Sequence, residues 1–213
     1  MSIRLPALGL LLGLLGACAT PVQPLSLQPS GEARSGDYDE VLGRWTRSDK
    51  VYDQVHSVLF VHATFHSPEF RRAFALRHRD IYGPGSEEAA RLSLTAEGAE
   101  DTLELFISAW TADNRWNDFA QTDSIWRITL SGLAPDAERV AGEVRRIRKS
   151  ANLRVIYPYV TDFARCYSVR FPRTTPSGEP LITSASRGFV VRISSGLGEA
   201  ALRWELQPTA ASP

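Results

Sequence analysis

The sequence predicts a mainly β fold: an immunoglobulin-like β-sandwich with a helical hairpin inserted into it. A small β-barrel is the alternative closure. Three observations point there. From residue 102 onward, apolar residues recur with a period of two over several short runs. Gly, Pro, Asn and Asp clusters separate those runs, as turns require. The longest stretch with helical spacing, residues 67–99, interrupts strand-like segments instead of following them.

Taken in order, residues 37–47 read as a short helix. Asp37 is placed to cap it and Glu40 follows three residues on, as in a capping box. Val41, Leu42 and Trp45 share one face, so the helix should close the domain edge by burying Trp45. Residues 55–66 alternate: Val55, Leu59, Val61, Ala63 and Phe65 are expected inward, and His56, Val58, Phe60, His62, Thr64 and His66 outward. Ser67-Pro68-Glu69 then starts a helix, with a Ser cap, Pro in the first turn and an acid at the positive end of the dipole. Phe70, Ala73, Phe74 and Ile81 make its apolar side. Gly83-Pro84-Gly85 ends it, and Ser86-Glu87-Glu88 opens a second helix to about residue 96, completing the hairpin. Strands follow at 102–111, 124–131, 139–148, 152–157, 164–171, 188–194 and 200–206. Their expected inward residues are Trp126, Ile128, Leu130, Tyr167, Val169, Phe171, Phe189, Val191, Ile193, Leu202, Trp204 and Leu206. Gly196-Leu197-Gly198 supplies the tight link of the last hairpin.

Residues 1–17 have the parts of a secretory signal: a positive Arg4, an apolar run over 8–15, and small residues Gly16-Ala17. That run is too short for a membrane-spanning helix, which needs about 20 residues. Leu15-Gly16-Ala17-Cys18 resembles a bacterial lipobox. The resemblance covers residues 1–19 and implies that Cys18 becomes the first mature residue and carries lipid, anchoring the chain to a membrane. Ala19, in place of an Asp, resembles the outer-membrane sorting pattern, so the implied location is the outer membrane, facing periplasm or surface. The body resembles uncharacterised envelope lipoproteins and no named family. Residues 18–36, rich in Pro, Ser, Gln and Gly, read as a flexible tether. The folded domain should span 37–208, with a disordered tail over 209–213.

Charge excludes one class of function. Basic and acidic residues balance at 24 each in the 213-residue chain, which argues against a nucleic-acid partner. With Cys18 lipidated, Cys166 stands alone, so an internal disulfide is not expected; it reads as a small apolar strand residue.

No motif for a catalytic site emerges: Gly-x-Ser-x-Gly, His-Glu-x-x-His, Ser-x-x-Lys and a phosphate-cradling Gly loop are all missing from the sequence. No cofactor and no metal site is expected either. His62 and His66 lie roughly 13 Å apart on an extended strand, too far for both to ligate one ion. The loop Asp113-Asn114-Arg115-Trp116-Asn117-Asp118, with Asp123 beyond, could offer oxygens to calcium. Arg115 and the lack of a Gly or closing Glu in register favour turn chemistry, with Trp116 as a candidate recognition residue. Arg145, Arg146, Arg148, Lys149 and Arg154 form the densest basic cluster. It reads as edge-strand protection or as a contact for an acidic partner, with Arg145, Arg146 and Arg148 the candidate interaction residues.

The leading functional expectation is therefore a lipid-anchored, non-enzymatic binding or scaffolding module with an envelope protein partner. A lipid or glycan carrier with a pocket lined by Phe60, Trp110 and Trp126 is the second. An envelope hydrolase using His62 or His78 is the third.

Overall fold

The computed structural model describes residues 24–27, 37–86 and 102–208. Cys18, the lipobox, most of the tether, the second arm of the hairpin and the tail lie outside the described residues. Within them the chain is a β-sandwich of two antiparallel sheets, not a closed barrel. The elements run α1 (Tyr38–Trp45), β1 (Thr46–Asp53), β2 (His56–Phe65), α2 (Pro68–Tyr82), β3 (Thr102–Thr111), a 3-10 turn (Asn114–Trp116), β4 (Arg127–Gly132), β5 (Val140–Ala141), β6 (Glu143–Ile147), α3 (Ala151–Ile156), β7 (Arg165–Pro172), β8 (Gly188–Ser195) and β9 (Gly198–Glu205). The larger sheet has the order β1-β2-β3-β7-β6; the smaller has β5-β4-β8-β9.

Period-two patterning sets the faces. Register pairs Val61 with Ala109, Ile107 with Tyr167 and Leu105 with Val169, so these side chains share the inner face of the larger sheet. Ile128, Leu130, Val191, Ile193, Leu202 and Trp204 meet them from the smaller sheet. All twelve inward residues expected over 126–206 are buried. Each fully buried large apolar side chain of this kind contributes about 1.5–3 kcal/mol. Phe189 bridges the layers, with its ring centroid 4.8 Å from Phe65 and 4.9 Å from Trp204. Trp204 in turn donates its indole N–H to the Trp45 carbonyl at 3.0 Å, tying α1 to the sandwich. The β1 and β9 edges are stitched by Asp49 Oδ2, which accepts from the Ala201 N–H at 2.7 Å.

Several expectations are corrected. Thr46–Asp53 is a strand, where helix was expected to residue 47 and nothing thereafter. Asp37 holds the N-cap position of α1, but its side chain makes no capping hydrogen bond; Glu40 instead pairs with Arg44. Val55 is 85% exposed because Gln54-Val55 form the β1–β2 turn, with Gln54 at φ 52. Ile81, expected on the apolar side of α2, is exposed at the end of that helix. The Ser67 cap and the Pro68 start of α2 are as expected: Ser67 Oγ accepts from the Phe70 N–H at 3.0 Å. The single strand expected over 139–148 is two strands in different sheets, β5 and β6, with the crossing at Gly142. A Cβ on Gly142 would lie 2.6 Å from Val169 Cγ1, so only glycine fits where the chain passes between layers. Residues 152–157, expected as a strand, form α3 and the turn after it. Ser150 caps α3 by accepting from the Leu153 N–H, and Leu153 and Ile156 turn toward the core at helical spacing. Finally, part of the expected free tether is docked: Leu25 is buried and bridges Leu206. Among the described residues no helix is long and apolar enough to cross a membrane.

Candidate functional site

The outer face of the larger sheet is where the chemistry gathers. Register places Phe60 opposite Trp110, His62 opposite Ser108, and Thr64 opposite Phe106, in successive rows across β2 and β3. Residues 157–164 run over this face. Tyr157 stacks on Phe106 at 3.8 Å and 7°. Tyr159 stacks on His62 at 5.2 Å and 14°, and its hydroxyl meets Thr64 Oγ1 at 2.6 Å. Lys149 donates to the carbonyls of Thr161, at 3.3 Å, and Asp162, and Arg154 pairs with the Asp162 carboxylate. The segment is thus pinned at both ends.

Between this roof and the sheet lies a cleft of about 500 Å³ lined by Phe60, His62, Ser108, Trp110, Arg154 and residues 159–164. That volume falls within the roughly 300–1,000 Å³ of small-ligand sites. Phe60 and Trp110 form its floor with centroids 5.0 Å apart. Phe163, 77% exposed, stands on its rim. Lys50 lies over the Phe60 ring at 5.4 Å, and Tyr52 meets the same ring edge-on at 6.0 Å. Burial, and then the nearby Lys50 ammonium, hold the His62 pKa below its ordinary value, so the ring is neutral at pH 7 and offers one donor and one acceptor. Ser108 is buried on the floor. Neither the His62 ring nitrogens nor the Ser108 hydroxyl has a hydrogen-bond partner among the described residues.

Comparison with known protein families, with curated proteins and with solved structures gives no match.

Beside the cleft sits a second polar group, largely buried. Glu104 accepts from Ser168 Oγ at 2.8 Å and lies 3.5 Å from Arg170 Nε and 3.7 Å from Arg71 Nη2. Burial alone would raise its pKa; the adjoining His66 ring, Ser168 and Arg170 outweigh that and hold it at about 2. His66 is buried between Phe70, stacked at 5.2 Å, and Tyr157, whose hydroxyl meets Nε2 at 3.0 Å. Its Nδ1 is 3.7 Å from Glu104, beyond hydrogen-bonding distance. Desolvation pushes its pKa down more strongly than Glu104 raises it. His66, walled in, is therefore a histidine set against an acid, Glu104. His78 packs against Tyr82 at 4.3 Å on α2.

The residues singled out from the sequence are dispersed. Trp116 is 39% exposed in the 3-10 turn, and its carbonyl accepts the Trp126 indole N–H at 2.8 Å. The surrounding acids are used by their own loop: Asp113 holds Arg115, and Asp118 accepts from Ser124. Asn117 is buried and ties Ala109 to Tyr167. Arg145 and Arg146 lie on β6, which is an edge strand of the larger sheet; Arg145 pairs with Glu143 at 2.8 Å. Arg148 follows the strand end, while Arg154 belongs to the cleft rim instead of the β6 cluster. Phe60 and Trp110 line one cleft as expected, but Trp126 does not. It is buried against Phe119, 5.6 Å away, and Phe119 stacks on Tyr167. Cys166 is buried on β7, and burial pushes its thiol up to about 11, which leaves it protonated.

The roof residues Tyr159 and Phe163 were missed by sequence reasoning. The available signal was Ser150 followed by Leu153 and Ile156, with Pro158 beyond: a capped one-and-a-half-turn helix and a stop.

Proposed function

We propose that this chain is a lipid-anchored protein of the bacterial envelope acting as a non-enzymatic binding module, with the aromatic cleft as its ligand seat. The observation that carries the reading is the cleft itself. It combines stacked and exposed rings with two neutral hydrogen-bonding groups that have no hydrogen-bond partner among the described residues. Sites of this composition, mainly aromatic walls with a few placed polar groups, hold small ligands. Support for a binding role over hydrolysis comes from the histidines: His62, which reaches the cleft, is stacked on Tyr159, the carboxylate lining that cleft, Asp162, is paired with Arg154, and His66 lies buried against Glu104. The lipobox-like Cys18 motif supports the anchor and the envelope location.

The test is photocrosslinking in native cells, with the probe placed in turn at Phe163, Trp116 and Arg146. Capture of one non-protein envelope molecule at position 163, with none at 116 or 146, is the expected result. A single dominant protein captured at 116 or 146, with nothing at 163, would replace the binding module with a scaffolding role served by the β6 edge. Palmitate labelling that survives Cys18→Ser would remove the anchor.

A further inference from the structure

We infer that the cleft ligand is a glycan, and that the preferred glycan carries an anionic group. This rests on the binding-module reading and deepens it. A pyranose ring has a flat face of C–H bonds and an edge of hydroxyls. The first needs an aromatic surface, the second needs neutral donors and acceptors beside it. The cleft offers both at once. Phe60 and Trp110 present a continuous aromatic floor, and Phe163 stands exposed at its rim. Next to them, one row along the strands, His62 and Ser108 hold hydrogen-bonding capacity that no described residue uses.

Those two groups decide against the other apolar candidate, an acyl chain. Ser108 is 2% exposed and lines the cleft. A hydrocarbon laid over it and over His62 would exclude water and return no hydrogen bond, weakening binding by roughly tenfold for each group left unmet. Sugar hydroxyls pair with both. The half-open shape points the same way, because a glycan keeps part of its hydroxyl edge in water.

Charge adds the preference. Arg154 is neutralised by Asp162, and Lys149 is turned onto the backbone carbonyls of residues 161 and 162. The Lys50 ammonium, by contrast, sits over Phe60 with no acid partner among the described residues. It is exposed on β1 at the cleft end, free to meet a carboxylate or phosphate on the sugar.

The experiment uses the full-length chain in lipid nanodiscs. It is offered to a printed array of bacterial surface oligosaccharides, neutral and uronic-acid-bearing, and titrated separately with laurate, following tryptophan fluorescence. Binding of uronic-acid-bearing oligosaccharides, and none of laurate, is expected. Phe163→Ala and Trp110→Ala should each weaken it at least tenfold, and Ser108→Ala about fivefold. Lys50→Gln should lower the acidic-over-neutral ratio several-fold while sparing neutral sugars. Phe163 and Lys50 are exposed, so these two variants test the site without disturbing the core. Laurate binding with no glycan binding would overturn the ligand class and leave the binding module standing. Failure of every glycan and of laurate would overturn both. Glycan binding indifferent to Phe163→Ala and Trp110→Ala would place the sugar elsewhere and also overturn the inference.

Discussion

Glu104 shows how one carboxylate can couple the fold to pH. Its side chain keeps about 10% of its surface in water, and it neutralises two guanidiniums, Arg71 and Arg170. Its native pKa of about 2 lies below the ordinary 4.5. A depressed carboxylate adds stability that is complete above the ordinary value and is lost as pH falls through the native one, here from 4.5 down through 2. The full effect is on the order of 3 kcal/mol. His66 adds an earlier loss. Its native pKa is lowered by burial, so the unfolded chain takes up a proton first, and stability declines as pH drops below about 6.5. Urea unfolding from pH 8 to pH 2 should therefore show two descending stretches. Glu104→Gln should erase the lower one and cost roughly 2–4 kcal/mol at pH 7, because two half-buried cations lose their anion. A variant that kept the lower stretch would assign it to other carboxylates.

At the scale of elements, the crossing at Gly142 is the point of least tolerance. The chain leaves the smaller sheet at Ala141 and joins the larger at Glu143, and the Gly142 N–H donates to the Ile128 carbonyl at 3.0 Å. Any Cβ there meets Val169 at 2.6 Å and the Phe171 ring at 2.8 and 2.9 Å, all fully buried. Gly142→Ala should cost about 1–3 kcal/mol by overpacking. Gly196→Ala, where nothing lies within 4 Å, should change stability by less than about 0.5 kcal/mol. Equal effects in chemical denaturation would show that the layers can part at the crossing. The same element explains what the sequence could and could not tell. Strands β3, β4, β7, β8 and β9 were legible because each carries buried apolar residues at every second position, although β3 and β8 are buried on much of the other face as well. Over 139–148 the period of two holds from Val140 to Val144 and breaks before Ile147; the change of sheet at Gly142 falls inside the regular part, so one strand and two look alike there. β1 was illegible for the opposite reason: among Thr46–Asp53 only Val51 is buried, and an edge strand stitched through Asp49 to β9 needs no apolar run. In α3, Leu153, Val155 and Tyr157 alternate while Leu153 and Ile156 recur at three. The Ser150 cap decides for the helix, and Val155 is left 46% exposed. The cleft was legible only as far as Phe60 and Trp110, since its roof depends on where α3 sets down residues 157–164.

At the scale of the molecule, the two ends of the described chain hold each other. The Leu25 N–H donates to the Glu205 carbonyl at 2.8 Å, and the Gln207 N–H donates to the Leu25 carbonyl at 2.7 Å. Leu25 itself is 3% exposed, against Leu206. This clip changes what a lipid on Cys18 would mean. A free tether over 18–36 would let the domain roam; a clip at residue 25 leaves about seven residues between anchor and fold, a reach of at most about 25 Å at ~3.3–3.6 Å per residue. The domain would then ride close to the bilayer, with the Leu25–Leu206 end toward it. Leu25→Asp places a charge in that buried seat. It should cost about 2–3 kcal/mol, limited by local detachment of the segment, and lower the melting temperature by roughly 4–12 °C. Amide exchange at Gln207 should rise to that of an exposed backbone while the β3 and β7 amides keep their protection. In nanodiscs the same substitution should move a label at Phe163 farther from the lipid surface. Unchanged Gln207 exchange would mean that the clip does not hold residues 24–27 in solution, and the long tether would stand.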